Sequence, residues 1–197
     1  MSISAEKVKA LREKTGVGIM ECKSALNETD GDIEKAVDFL RKKGIASAEK
    51  RAGRETKEGI VESYIHPGNR LGVLVEVNCE TDFVAKTDDF KNFARDIAMQ
   101  VAATNAQVVA RDAYPEEAVA REREIYLTQA KNEGKPENII QRYVDGKLEK
   151  FFQESVLLEQ GFIKDPNKNI KELLTEVVSK TGENIQIRRF VRFQLGA

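Results

Sequence analysis

Cys22, Cys79 and His66 are the side chains that nucleophilic or metal chemistry would ask for first, and their spacing serves neither. The cysteines stand far apart, with no second cysteine or histidine beside either, so the close ligand pairs of a zinc site are missing. A Ser-His-Asp or Cys-His set would have to use His66, the single histidine, which falls in the turn sequence His66-Pro67-Gly68-Asn69. Nothing around it resembles a nucleophile elbow. No GxxxxGK[ST] loop is present to cradle phosphates, so the chain does not read as a nucleotide switch. An enzyme is not expected, and neither is a cofactor or a metal. The chemistry that remains is recognition of a partner.

The elements that would present such a surface can be read from the apolar periodicity. Ser4 suits the start of a helix with Val8 and Leu11 on one face, and Gly16 lies just past its end. A second helix is expected over 18–27, with Met20, Cys22, Ala25 and Leu26. A third follows Asp30 or Asp32, carries Ile33, Ala36, Val37 and Leu40 at helical spacing, and is expected to end at Gly44. Helices this short need each other's apolar faces, which predicts a small bundle. The charged stretch 45–58 then reads as a linker to the rest.

Past the linker the period changes from helical to alternating. Val61, Ser63 and Ile65, then Leu71, Val73, Val75, Val77 and Cys79, predict a hairpin turning at Pro67-Gly68. Thr87 is placed to cap a helix striped by Phe90, Ala94, Ile97, Ala98 and Val101. A helical hairpin follows, opened by Pro115 and Pro136 and broken at Gly134. A helix through Ile170, Leu173, Leu174, Val177 and Val178 closes at Gly182, and Ile185, Ile187, Val191, Phe193 and Leu195 predict a last strand. Segregated runs of helix and strand imply an α+β fold. The expected division is a docking module over 1–53 and an α+β core over 54–197.

Composition narrows the partner classes. Lys and Arg total 32 against 33 Asp and Glu, a net charge of −1, which gives no overall field for wrapping nucleic acid. Residues 1–57 do carry 13 basic against 10 acidic side chains, with the excess in 41–57. That stretch reads as a solvated linker; as an RNA surface it lacks interleaved aromatic rings. With 41% hydrophobic residues and no apolar run near the roughly 20 residues that span a bilayer, no membrane role is expected. The first residues show no basic start followed by an apolar stretch, so no leader is expected either.

Two segments carry a resemblance that these features alone would not. LREKTGVGIMECKSAL over 11–26, followed by GDIEKA over 31–36, resembles the N-terminal signature of the elongation factor Ts family. VEVNCETDFVA over 75–85 resembles that family's core signature. The resemblance extends over the whole chain in its short, single-core form; longer members add a second half-core, a coiled-coil insertion and a C-terminal module. It implies a cytoplasmic factor, or a stromal one if plastid-encoded, that binds elongation factor Tu–GDP and promotes GDP release. It implies that Thr81, Asp82, Phe83 and Val84 disturb the partner's magnesium site, and that Arg12, Ile19 and Met20 of a ubiquitin-associated-like bundle touch the same partner domain. It implies a homodimer that rebuilds across two chains what long members hold in one, with no direct contact to nucleic acid or membrane.

The residues themselves leave plainer readings open. A Phe just beyond a strand often belongs to the local core, Met20 can be bundle core, and Arg12 a solvated side chain. Phe83 nevertheless falls off the stripe of the following helix, on a loop held by a rigid hairpin, where binding residues commonly sit. A plain interaction module without exchange activity would have no need of that loop.

Overall fold

Ser4 and Asp32 start two of the three N-terminal helices by the same device, a side-chain oxygen accepting a first-turn amide. Ser4 takes the amide of Lys7 to open α1 (Ala5–Thr15), which stops where Gly16 turns left-handed at φ 68°. Helix α2 is Ile19–Glu28, and Asp32 takes the amide of Lys35 to open α3 (Ile33–Arg51). Val8, Leu11, Cys22, Ala25, Leu26, Ala36 and Leu40 meet in one buried cluster, bordered by Ile33, Val37 and Phe39. Helices α1 and α2, of 11 and 10 residues, are too short to persist alone, so this shared cluster is what makes the bundle. The computed structural model describes residues 3–196; Met1 and Ser2, part of the stretch read above for a leader, and Ala197 lie outside them.

Helix α3 corrects one expectation. It does not end at Gly44 but runs on to Arg51, so half of the supposed linker 45–58 is helix. Gly44 is buried, and a Cβ there would lie 2.5 Å from the Ser179 hydroxyl of helix α8 (Ile170–Thr181). The glycine is a close-packing point between helices, and that packing offsets its cost of about 1 kcal/mol in a helix interior. Arg41 and Glu172 pair across the same two helices. Gly44→Leu is therefore expected to lower stability by about 1–3 kcal/mol through overpacking. A thermal melt at or above wild type, as helix propensity alone would give, would overturn this assignment.

Strands β1 (Glu58–Ile65) and β2 (Leu71–Cys79) form the expected hairpin, with Gly68 and Asn69 at positive φ in its turn. The last strand, β5 (Ile185–Gln194), joins the free side of β2 to give the order β1-β2-β5. It runs antiparallel to β2: the Leu195 amide reaches the Arg70 carbonyl, while Arg189 reaches Glu76 from further back along the chain. Gly59 is required in β1, because at its φ of 145° a Cβ would sit 2.1 Å from the Val77 carbonyl oxygen. Val73, Val75, Val77 and Cys79 are all buried. The opposite face carries Val61, Ile65, Leu74, Val191, Phe193 and Leu195 in the open. In β5 the expected alternation slips at the exposed pair Arg188 and Arg189: Ile185 and Ile187 are buried, whereas Val191 and Phe193 are not.

After β2 come a four-residue helix, α4 (Asp82–Ala85), and α5 (Asp88–Thr104), where Thr87 accepts the Phe90 amide. Phe90, Ala94, Ile97, Ala98 and Val101 of α5 are fully buried. The helical hairpin is α6 (Glu116–Asn132) and α7 (Glu137–Ser155), with Pro115 and Pro136 immediately before each helix. A small antiparallel pair, β3 (Gly161–Phe162) and β4 (Asp165–Asn169), has no counterpart in the sequence reading. It is tied to α5 by buried Gln100, which donates to Gln160 and Gly161 and accepts the Ile163 amide. That tie comes from a residue 60 positions away, which no local pattern encodes.

By density of contacts the chain forms two units. One gathers the chain up to Ile60 with Val77–Phe93 and Glu172–Gln186; the other holds Val61–Glu76, Ala94–Lys171 and the stretch from Ile187 onward. The predicted boundary after residue 53 lies just past the end of α3, and the N-terminal helices share their unit with α4 and most of α8.

Candidate functional site

Strand β2 ends at Cys79, and after two intervening residues the chain folds into α4 where the sequence reading expects a loop. Thr81, still extended, is the cap: its hydroxyl oxygen accepts the Val84 amide at 3.4 Å. One helical turn so short divides its residues sharply between inside and outside. Val84 and Ala85 are buried, with Val84 5% exposed, whereas Phe83 is 76% exposed and Thr81 and Asp82 are also on the surface. Val84 thus anchors the turn, and Phe83 presents a bare aromatic ring. Single exposed apolar residues are common, but an exposed Phe on a turn anchored from below differs from a frayed one.

The electrostatics around the ring are set by Lys86, one turn further on, whose ammonium lies 2.6 Å from the Asp82 carboxylate. That hydrogen bond, with the charge behind it, holds the Asp82 carboxyl below its ordinary range and raises Lys86. Beneath the turn, Cys79 donates its thiol to the Thr81 carbonyl at 3.1 Å. Burial, with the nearby Glu183 carboxylate adding to it, pushes the Cys79 thiol up to about 11, so at neutral pH it is a packed thiol and not a nucleophile.

Glu183 enters from the turn between α8 and β5. Its carboxylate accepts the amides of Glu80 and Thr81 at 3.1 and 3.0 Å and the Thr81 hydroxyl at 2.6 Å. The neighbouring Asn184 amide donates to the Glu80 carboxylate at 2.6 Å, while the buried Asn184 side chain donates to the carbonyls of Ala52 and Arg54. Neither residue was singled out from sequence. They lie about a hundred positions from Thr81, between a helix-ending glycine and a strand, where a polar pair looks like ordinary turn chemistry.

The N-terminal candidates bracket the turn between α1 and α2. Arg12 is exposed in the last turn of α1, with its carbonyl taken by the Gly16 amide. Ile19 and Met20 open α2 and are exposed, Met20 by 74%, so its side chain is not part of the bundle core. Among the described residues there is no group of three or more His, Cys, Asp or Glu side chains placed to hold a metal ion.

Against known proteins, residues 35–197 match the family model described as Elongation factor TS. An elongation factor Ts of Carboxydothermus hydrogenoformans is 61% identical over 98% of this chain and 89% of its own length. One from Desulfosudis oleivorans is 60% identical over 99% of this chain and 98% of its own. The chain belongs to the elongation factor Ts family. A third relative, an elongation factor Ts from a Thermoanaerobacter species, is 58% identical over 98% of the chain and 95% of its own length.

Within an elongation factor Ts of this form, the turn at Thr81, Asp82 and Phe83 is a compact projection with a buried foot. Arg12, Ile19 and Met20 are likewise exposed, on the N-terminal helices. His66, set aside as a turn residue, sits in the hairpin loop with its Nδ1 3.0 Å from the Tyr64 hydroxyl. No helix among the described residues is long and apolar enough to cross a membrane.

Proposed function

We propose that this elongation factor Ts is a guanine-nucleotide exchange factor for elongation factor Tu, with no covalent chemistry of its own. The observation that carries the reading is Phe83, 76% exposed on a turn whose Val84 is buried. Thr81, Asp82 and Phe83 enter the partner's nucleotide-binding domain and disturb its magnesium and phosphate site, and Val84 holds them in place. Reciprocity supplies the energetics: a factor that binds nucleotide-free Tu more tightly than Tu–GDP must weaken GDP binding by the same factor. GTP then rebinds and displaces the factor. This work belongs in the cytoplasm, or the stroma for a plastid protein. Mixing the chain with Tu loaded with a fluorescent GDP analogue is the direct test, and release no faster than the spontaneous rate at micromolar protein would reject the proposal.

Residues 1–53 act in this reading as a docking module, with Arg12, Ile19 and Met20 toward Tu. Their self-contained apolar cluster supports a separate role, since none of its members lies beyond Leu40. A chain starting at Arg54 is expected to bind Tu more weakly, measured by titration against immobilised Tu. Undiminished affinity would remove the docking role.

The open face of the sheet supports a homodimer. Ile65, Leu74, Phe193 and Leu195 of that face line a groove of ≈ 570 Å³, and Phe193 is 68% exposed. Exposed apolar side chains gathered on one face support the reading of that face as an interface. A second copy provides a face of the same chemistry, as a two-fold interface requires. Phe193→Glu is expected to convert a dimer into a monomer by light scattering at micromolar concentration, while the circular dichroism stays native. A wild-type chain that is already monomeric would overturn the pairing.

A further inference from the structure

We propose that Glu183 is a positioning residue for nucleotide exchange, whose carboxylate pre-sets the α4 turn so that Phe83 is presented before the partner arrives. The inference rests on the reading of Thr81, Asp82 and Phe83 as the surface that enters Tu.

A helix of four residues cannot hold itself, because helix nucleation fixes several residues for one hydrogen bond. In α4 the missing hold comes from outside. One Glu183 oxygen accepts two successive amides, of Glu80 and Thr81, and the other accepts the Thr81 hydroxyl proton at 2.6 Å. A hydroxyl has one proton to give and lone pairs to receive with. With its proton committed to Glu183, the Thr81 oxygen is turned to receive the Val84 amide, which closes the first turn of α4. The carboxylate thus reaches the turn through a two-bond relay, and the ionised acceptor makes each bond stronger than a neutral one.

The carboxylate is itself braced. Gly182, left-handed at φ 76°, turns the chain out of α8. The next residue after Glu183, the 4%-exposed Asn184, donates its backbone amide to Glu80 and its side chain to the carbonyls of Ala52 and Arg54. Residues 183 and 184 therefore join three stretches of chain: the end of α3, the junction of β2 with α4, and the start of β5. A purely structural clasp would serve as well by holding backbone to backbone. This one extends through Thr81 to the single turn that carries the exposed ring. A binding element ordered in advance loses less entropy on association.

The full chain carrying Glu183→Ala is compared with wild type, Glu183→Gln and Phe83→Ala in two measurements. Amide hydrogen exchange at Glu80 and Thr81 reads the hold without any partner, and release of a fluorescent GDP analogue from Tu reads the function. Glu183→Ala is expected to expose both amides and to reduce the acceleration of release about tenfold at matched folded fraction. Glu183→Gln keeps an oxygen for the amides and a donor for the Thr81 hydroxyl, and is expected to recover most of both. Should Glu183→Ala fail to fold, Glu183→Asp keeps the charge but draws the carboxylate back by one methylene, and is expected to lose both readouts in the same way. Exposed amides with undiminished release would overturn the proposal, as would unchanged protection of the two amides. A loss explained entirely by the unfolded fraction would reduce Glu183 to a structural brace. If wild type does not accelerate release, or Phe83→Ala is as fast as wild type, the exchange reading fails first, and the amide measurement still reports whether Glu183 holds the turn.

Discussion

Phe83→Ala is expected to leave the melting temperature nearly unchanged while slowing Tu-bound GDP release by about thirtyfold. The first half follows from burial: a ring that is 76% exposed leaves little packing to lose, and no core cavity opens when it is removed. The second half follows from the contacts the ring would make in the complex. A central aromatic anchor is worth about 2 kcal/mol or more at an interface, and each 1.4 kcal/mol is a factor of about ten. The slowing is of that size if the ring's contacts favour the nucleotide-free complex. Both quantities are read on one sample, by thermal melt and by stopped-flow release. A clear drop in melting temperature with near-normal release would return Phe83 to the core and reject the wedge.

Phe90→Ala, seven residues on, is expected to do the reverse. Phe90, at the start of α5 and 0% exposed, is the largest fully buried side chain among the described residues. Truncating such a ring costs about 3–5 kcal/mol, a large part of the 5–15 kcal/mol that typically separates folded from unfolded chains. For a chain of this size the melting temperature is expected to fall on the order of 10 °C. Release, corrected for the folded fraction, is expected to stay close to wild type, since the ring faces inward. A loss of exchange beyond that correction would show that α5 packing also sets the geometry of α4. The contrast between two phenylalanines so close in sequence comes from the side of the chain each occupies.

That side was partly legible in advance. Phe90 stands on a stripe with Ala94, Ile97, Ala98 and Val101, and the period alone assigns it to the core; all five are buried. Phe83 falls off the stripe, and its exposure accords with that. What periodicity did not reveal was the form of the 81–84 segment. Four residues are too few to show a helical period, so it read as a loop; Val84, grouped with its neighbours by the family's motif, turns out to be the buried foot. Gly44 shows the opposite failure. As a local signal glycine ends helices, yet here it admits Ser179 of α8 at close range and α3 continues for seven more residues.

Elements whose signals are local follow directly from the amino-acid sequence. Ser4, Asp32 and Thr87 cap helices because an oxygen three residues back meets a free amide. The hairpin turns at Gly68 and Asn69, and α1 and α8 are followed by left-handed glycines. The sequence also identified the family, because two motifs in the right order carry that information without any geometry. Tertiary structure alone decided how these pieces are held together. The hold of Gln100 on Gly161 and Ile163, the open face shared by Val61, Leu74 and Phe193, and the grip of Glu183 on Thr81 all join residues far apart in the chain. A side chain's capacity to bond is written in its type, but its partner is chosen by which distant segment folding brings within 3 Å.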